Sequence, residues 1–231
     1  MDSKFYSLEE VAAFYQQERE PYPEAFRLRI HRSLSWLKRA DELVCLNGKH
    51  HDDADWDLAF ITIWIAFNAA YAKDLQTQTA QDKVNFREFL QCITQMDKKQ
   101  EVYALIWQRF SSEIRALLEN RYVFQPFWDW HNGVIAQADF EEKEAKSKAA
   151  TRLALQEMDT SKILWIVFDR LYTLRNQLIH GGATHGSKAN RLQIKAAYGF
   201  LRQLLPVMLM IMMQEPNRES WGKPFYPYVK E

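Results

Sequence analysis

An all-α fold is predicted by three features of the sequence. Apolar residues recur at three- and four-residue spacing through most of the chain, which places them on one face of a helix. Seven glycines and seven prolines are few for 231 residues, so turns are sparse and elements long. A hydrophobic fraction of 47% supplies a core without staples and excludes disorder as the main state. The expectation is a single all-α domain over residues 1–231, with no internal repeat.

Taken in order, Ser7 with Glu10 three residues later has the pattern of a capping box and opens a short helix to about Arg19, which Pro21 and Pro23 end. From Glu24, the apolar positions Phe26, Ile30, Leu34, Leu37, Val44 and Leu46 mark a second, longer helix that closes at Asn47-Gly48. Residues 1–50 therefore read as a helical extension. The run from His50 to Asp57 gathers imidazoles and carboxylates and admits two readings. Metal ligands on a helix would need three- or four-residue spacing and further ligands from elsewhere. An N-cap aspartate followed by acids in the first turn is simpler, and no metal is expected.

The helix so capped runs from about Ala54 to Lys73 and is apolar nearly all round, from Trp56 through Phe60, Trp64 and Phe67 to Tyr71. A helix without a wet face belongs at the centre of a bundle. Its odd residue, Asn68, must find a hydrogen bond in the core or face a site. The polar run 76–81 leads to a helix carrying Phe86, Phe89, Leu90, Ile93 and Met96, and then to one carrying Val102, Leu105, Ile106, Phe110, Ile114, Leu117 and Leu118. These read as an antiparallel pair joined near Lys98.

Residues 124–131, Phe-Gln-Pro-Phe-Trp-Asp-Trp-His, are too aromatic for an ordinary surface loop. They read as a loop packed on the core, with a stacking platform for bases as the alternative. Gly133 and the mixed-charge segment Glu141–Arg152 mark the one plausible internal boundary, and the latter reads as a solvated helix face. From Thr160, Ile163, Leu164, Val167, Leu171, Leu174 and Leu178 carry a helix to His180. Ser187 is the expected N-cap of a last helix to about Gln214, kinked at Pro206 and rich in methionines suited to a core or an oligomer interface. Residues 215–231 form a tail expected to lie extended over the surface.

Thirty basic and thirty acidic side chains cancel, so no global field draws in nucleic acid or an anionic membrane, and a polyanion would need a local patch. Cys45 and Cys92 fall within apolar patterns and read as buried, reduced thiols, which with the absence of a secretory layout in MDSKFYSLEE points to the cytoplasm. The longest apolar run, Leu204–Met213, is short of the roughly 18 residues that span a bilayer, so no membrane association is expected.

The stretch LYTLRNQLIHGG, Leu171–Gly182, carries the chemistry. On a helix Asn176 and His180 share a face, whereas Arg175 sits about 140° round from His180 and meets it only by wrapping round the end or across a second copy. Gly181 and Gly182 suit a helix C-terminus, which leaves the imidazole at an accessible end. Cations gathered by the negative end of the helix dipole are the alternative account. Beyond the glycines, Thr184, His185, Lys188 and Arg191 surround the start of the next helix, whose N–H groups could bind phosphate. A nucleotide-cradling loop at 181–188 is excluded, because no strand precedes it and the order after Gly186 is Ser-Lys.

Arg175-Asn176-Gln177-Leu178-Ile179-His180 resembles the Arg, four to six residues, His motif of the HEPN superfamily, and Trp64–Tyr71 resembles the helix that precedes the motif in several of its branches. Together they cover residues 54–214. The resemblance implies a four- or five-helix up-and-down helical bundle of HEPN type that dimerises so that two motifs face a shared cleft. Many members are metal-independent endoribonucleases, often toxins in host defence, while others serve as binding or assembly modules. It implies catalytic roles for Arg175 and His180 with Asn176 in support, no cofactor, RNA as substrate and an antitoxin as a possible partner. Some such toxins are controlled by modification of a tyrosine two residues after the histidine, and Gly182 stands there.

The residue types suit metal-free RNA cleavage. An imidazole exchanges protons near neutrality, a guanidinium offers planar donors to phosphate, and two copies would supply separate acid and base. A non-catalytic module that binds nucleotide, RNA or protein is the alternative, and a scaffold in which Arg175 and His180 only cap a helix is a third.

Overall fold

The capping box forms as expected. Ser7 Oγ accepts from the Glu10 N–H at 3.1 Å, Glu10 Oε2 accepts from the Ser7 N–H at 2.8 Å, and α1 (Leu8–Glu18) follows. A computed structural model describes residues 5–46, 49–50, 54–72, 82–188, 190–224 and 226. The fold is all-α, with ten α-helices among the described residues and a two-residue antiparallel ladder pairing Cys45–Leu46 with Lys49–His50. The chain divides into two compact units, Met1–Val102 with Thr184–Glu231, and Tyr103–Ala183. Neither boundary falls at Gly133.

In the first unit α2 (Glu24–Glu42) and α10 (Arg191–Gln214) pack on α3 (Trp56–Tyr71), with α1 and α4 (Asp82–Met96) completing it. α3 is central because its apolar residues allow nothing else: Phe60, Ile63, Trp64, Phe67 and Tyr71 are all buried. Asp55 caps it by accepting from the Leu58 N–H at 3.0 Å, as the capping reading requires. His51, Asp52, Asp53, Asn47, Gly48, Lys73 and the run 76–81 lie outside the described residues. Asn68 Oδ1 is buried without a hydrogen-bond partner among the described residues.

Three expectations are corrected here. α2 stops at Glu42, so Val44 is buried beyond the helix and Cys45 lies in the ladder; Cys45 and Cys92 are half-buried and form no disulfide. α10 begins at Arg191 behind Asn190, whose φ is 55°, and not after Ser187. The reason is Asp57, buried in the first turn of α3. Its carboxylate accepts from the Gly186 N–H at 2.8 Å and from Arg191 Nη1 and Nη2 at 2.9 and 3.1 Å, pinning the loop before the helix can start. Asp57→Asn keeps the shape and removes the charge, and should cost about 1.5–3 kcal/mol in chemical denaturation. A loss under about 0.5 kcal/mol would show that the pin carries no weight. The third correction is the tail: Trp221 is buried in a 3₁₀ turn (Glu219–Trp221) against Phe26 and Phe89, at 6.5 and 6.1 Å between ring centroids.

Pro206 lies inside α10 without ending it, and Met208, Met212 and Met213 are buried while Met210 is partly exposed. By length and composition α10 could cross a bilayer, but 72% of its most apolar window is buried within the protein.

In the second unit the end of α5 (Glu101–Ala104) runs into a π-helical segment at Leu105–Arg109, closed by the Phe110 N–H on the Leu105 carbonyl at 2.9 Å. α6 (Ser111–Glu119) continues from it. The aromatic stretch is not a loop but a short helix, α7 (Gln125–His131), with Pro126 in its first turn, a position where the missing N–H has no helical partner to lose. Phe124, Phe127 and Phe140 form a buried cluster, on which Trp128 and Trp130 pack; Trp130 stacks on Phe140 at 5.1 Å. The rings are spent on one another. α8 (Gln137–Gln156) buries only Phe140 and Ala154, as a solvated face should, and α9 (Thr160–Ile179) buries Ile163, Leu164, Val167, Leu171 and Leu174 beneath an Asp159 cap.

Candidate functional site

The motif lies where α9 leaves the core. Leu171, Thr173 and Leu174 are buried, Tyr172 and Arg175 to Leu178 are half-buried, and Ile179 and His180 are exposed. The helix ends in a Schellman motif: the Gly182 N–H donates to the Gln177 carbonyl at 2.7 Å and the Gly181 N–H to that of Leu178 at 3.1 Å. The two glycines serve different ends. Gly181 takes φ of 69°, and a Cβ on Gly182 would lie 2.9 Å from the Gln177 carbonyl oxygen. Gly181→Ala should therefore destabilise this end by about 1–2 kcal/mol. Hydrogen exchange of the last turn of α9 checks it, and unchanged protection would refute it.

Arg175 Nη1 donates to Asn176 Oδ1 at 2.9 Å. The long side chain thus wraps towards the Asn176 face, and its Nε is buried without an acceptor among the described residues. Tyr172 lies on the same guanidinium, with its ring centroid 6.0 Å from the guanidinium carbon. His180 holds the cap position, its N–H on the Asn176 carbonyl at 3.0 Å. Gln177 anchors the turn by donating to the Tyr122 carbonyl at 2.5 Å. The arrangement gathers a guanidinium, an amide and a solvent-facing imidazole within six residues of one helix end.

Thr184, His185, Lys188 and Arg191 belong to the other unit. Thr184, His185 and Lys188 are exposed, and His185 Nε2 lies 3.1 Å from Asp55 Oδ2. Arg191 is heavily committed: beside its bonds to Asp57, its Nε and Nη2 donate to the Ser187 carbonyl at 3.1 and 2.9 Å. It already serves the loop.

Two arginines that sequence patterns did not single out are buried more deeply than Arg175, Asn176 or His180. Arg29 in α2 is 1% exposed and Arg170 in α9 is 5% exposed. Burial pulls each guanidinium down to about 10, which leaves both charged at neutral pH. The signal was present, since both fall on the apolar stripe of their own helix, Arg29 between Phe26 and Leu37 and Arg170 between Val167 and Leu174.

No family model matches the chain, and no curated protein or solved structure compared with it is significantly similar. What the fold defines is an all-helical protein of ten helices among its described residues.

Proposed function

We propose that this protein is a metal-independent endoribonuclease of the HEPN type, acting as a homodimer in which two Arg175–Asn176–His180 sets share one cleft. The observation that carries this reading is the Arg175–Asn176 hydrogen bond at the helix end that exposes His180. In the reaction one imidazole takes the proton of a ribose 2′-hydroxyl, and that oxygen attacks the adjacent phosphorus. The bond to the 5′-oxygen breaks, and the second imidazole, protonated, donates to it. Arg175 meets the charge that grows on the phosphoryl oxygens. Asn176 holds the guanidinium in place.

A helix C-terminus disfavours phosphate. The Schellman motif softens this, because the Gln177 and Leu178 carbonyls are occupied by glycine N–H groups. Ile179, 47% exposed, sets an apolar side chain beside the imidazole where a second copy would pack.

The test is incubation of the purified chain with RNA in excess chelator. Cleavage leaving 2′,3′-cyclic phosphate ends is expected, and intact RNA or 3′-hydroxyl ends would overturn the assignment. The equal numbers of acidic and basic side chains favour a second reading, a non-catalytic module that binds nucleotide, RNA or a protein partner without turnover. A role as a toxin or defence effector, with an antitoxin as partner, belongs to the first reading.

A further inference from the structure

α6, the turn Arg121–Val123, α8 and α9 enclose a cavity of about 560 Å³ within the second unit, in the size range of small-molecule sites. Arg170 forms its buried wall. Nη2 of Arg170 donates to Ser147 Oγ at 3.0 Å, and its guanidinium lies 4.0 Å from the centroid of the Phe124 ring. Its Nε and Nη1 are buried with no acceptor among the described residues. A desolvated guanidinium with two such nitrogens is costly unless something supplies the missing oxygens.

Arg115, Arg121, Lys148 and Arg152 also line the cavity, and all four are exposed. The opposing carboxylates are Glu119 and Glu144, and Glu144 is held by Lys148 at 2.8 Å. Five cations therefore face two acids in a chain whose total charge is zero. Leu118, Leu155 and Phe124 give the remaining wall an apolar surface.

We propose that this cavity binds a small phosphorylated organic molecule, its phosphate against Arg170 and its organic part against Leu118 and Leu155. A phosphate monoester suits the wall better than a single carboxylate. It carries up to two charges and three terminal oxygens, so it can accept from Arg170 and face the rim cations together. The inference stands apart from the nuclease reading, since none of the motif residues lines the cavity.

Titration calorimetry of the full chain with glucose 6-phosphate, adenosine monophosphate, inorganic phosphate and citrate tests it. At least one of the two organic phosphates should bind at least tenfold more tightly than inorganic phosphate or citrate. Arg115→Ala with Arg152→Ala, both at exposed positions, should weaken that binding at least fivefold, and Arg170→Met should abolish it. His180→Ala should bind as the parent chain does. Failure of both organic phosphates to bind would overturn the site. So would affinity unchanged by the rim substitutions, citrate binding equal to theirs, or loss of binding in His180→Ala. Cleavage of RNA by the same preparations reports separately on the motif.

Discussion

Replacing Arg29 with methionine destabilises the protein by about 3–5 kcal/mol, the scale of breaking a buried charged contact. Nη1 donates to the Ala70 and Ala72 carbonyls at 2.9 and 2.8 Å, with Ala69 at 3.4 Å, and Nη2 donates to the Trp221 carbonyl at 2.8 Å, with Gly222 at 3.4 Å. One guanidinium thus ends α3 and fastens the C-terminal turn to it, at the negative end of that helix, where a cation is favoured. Methionine fits the volume and relieves the cost of burying a charge, yet leaves those carbonyls in a dry core, each at about 1–3 kcal/mol when unpaired. Lysine is a sharper control. Its donors sit on one atom, so it cannot serve α3 and the Trp221 turn from two separate nitrogens as arginine does. Urea unfolding should order the chains as arginine, lysine, methionine, with hydrogen exchange in the Glu219–Trp221 turn reporting its loss. A methionine variant within about 1 kcal/mol of the parent would sink the argument.

Local determinants were legible in the sequence and tertiary ones were not. The Ser7–Glu10 box, the Asp55 cap and the glycine end of α9 are each written within a few residues, and each forms. α10 starts late because Asp57, more than a hundred residues away, holds the preceding loop. Trp221 is buried because Phe26, Phe89 and Arg29 receive it, which nothing in a proline-flanked tail announces. Residues 125–131 fold as a helix because Phe140, on the next element, completes the cluster of Phe124 and Phe127. At the candidate site the backbone was legible and the side-chain pairing was not. Helical spacing places Asn176 with His180, but the long side chain of Arg175 brings its guanidinium to the Asn176 amide. The burial of Arg29 and Arg170 is not legible locally, because a long charged side chain on an apolar stripe ordinarily reaches solvent at its tip. Here such interruptions mark the buried charges.

On the proposed mechanism, His180→Ala lowers RNA cleavage in excess chelator by at least about 10²-fold, the scale of one acid–base group. The symmetric dimer makes a stricter demand, because each shared cleft then needs an imidazole from both copies. When parent and His180→Ala chains are unfolded together and refolded as an equal mixture, about a quarter of the dimers carry both histidines by random pairing about the two-fold axis. Activity should therefore fall as the square of the parent fraction. A site complete within one chain would give a linear fall, to about half in the equal mixture, and would refute the shared cleft while sparing the catalytic role of His180. Asn176→Ala separates positioning from chemistry. It frees Arg175 from its 2.9 Å hydrogen bond without touching the imidazole, so the rate should drop while its pH profile keeps its shape. Arg175→Lys keeps the charge but loses the planar fork, and it should recover only a small part of the activity lost in Arg175→Ala. Full activity in His180→Ala, measured on protein with unchanged unfolding, would remove the nuclease and leave an exposed imidazole that caps a helix.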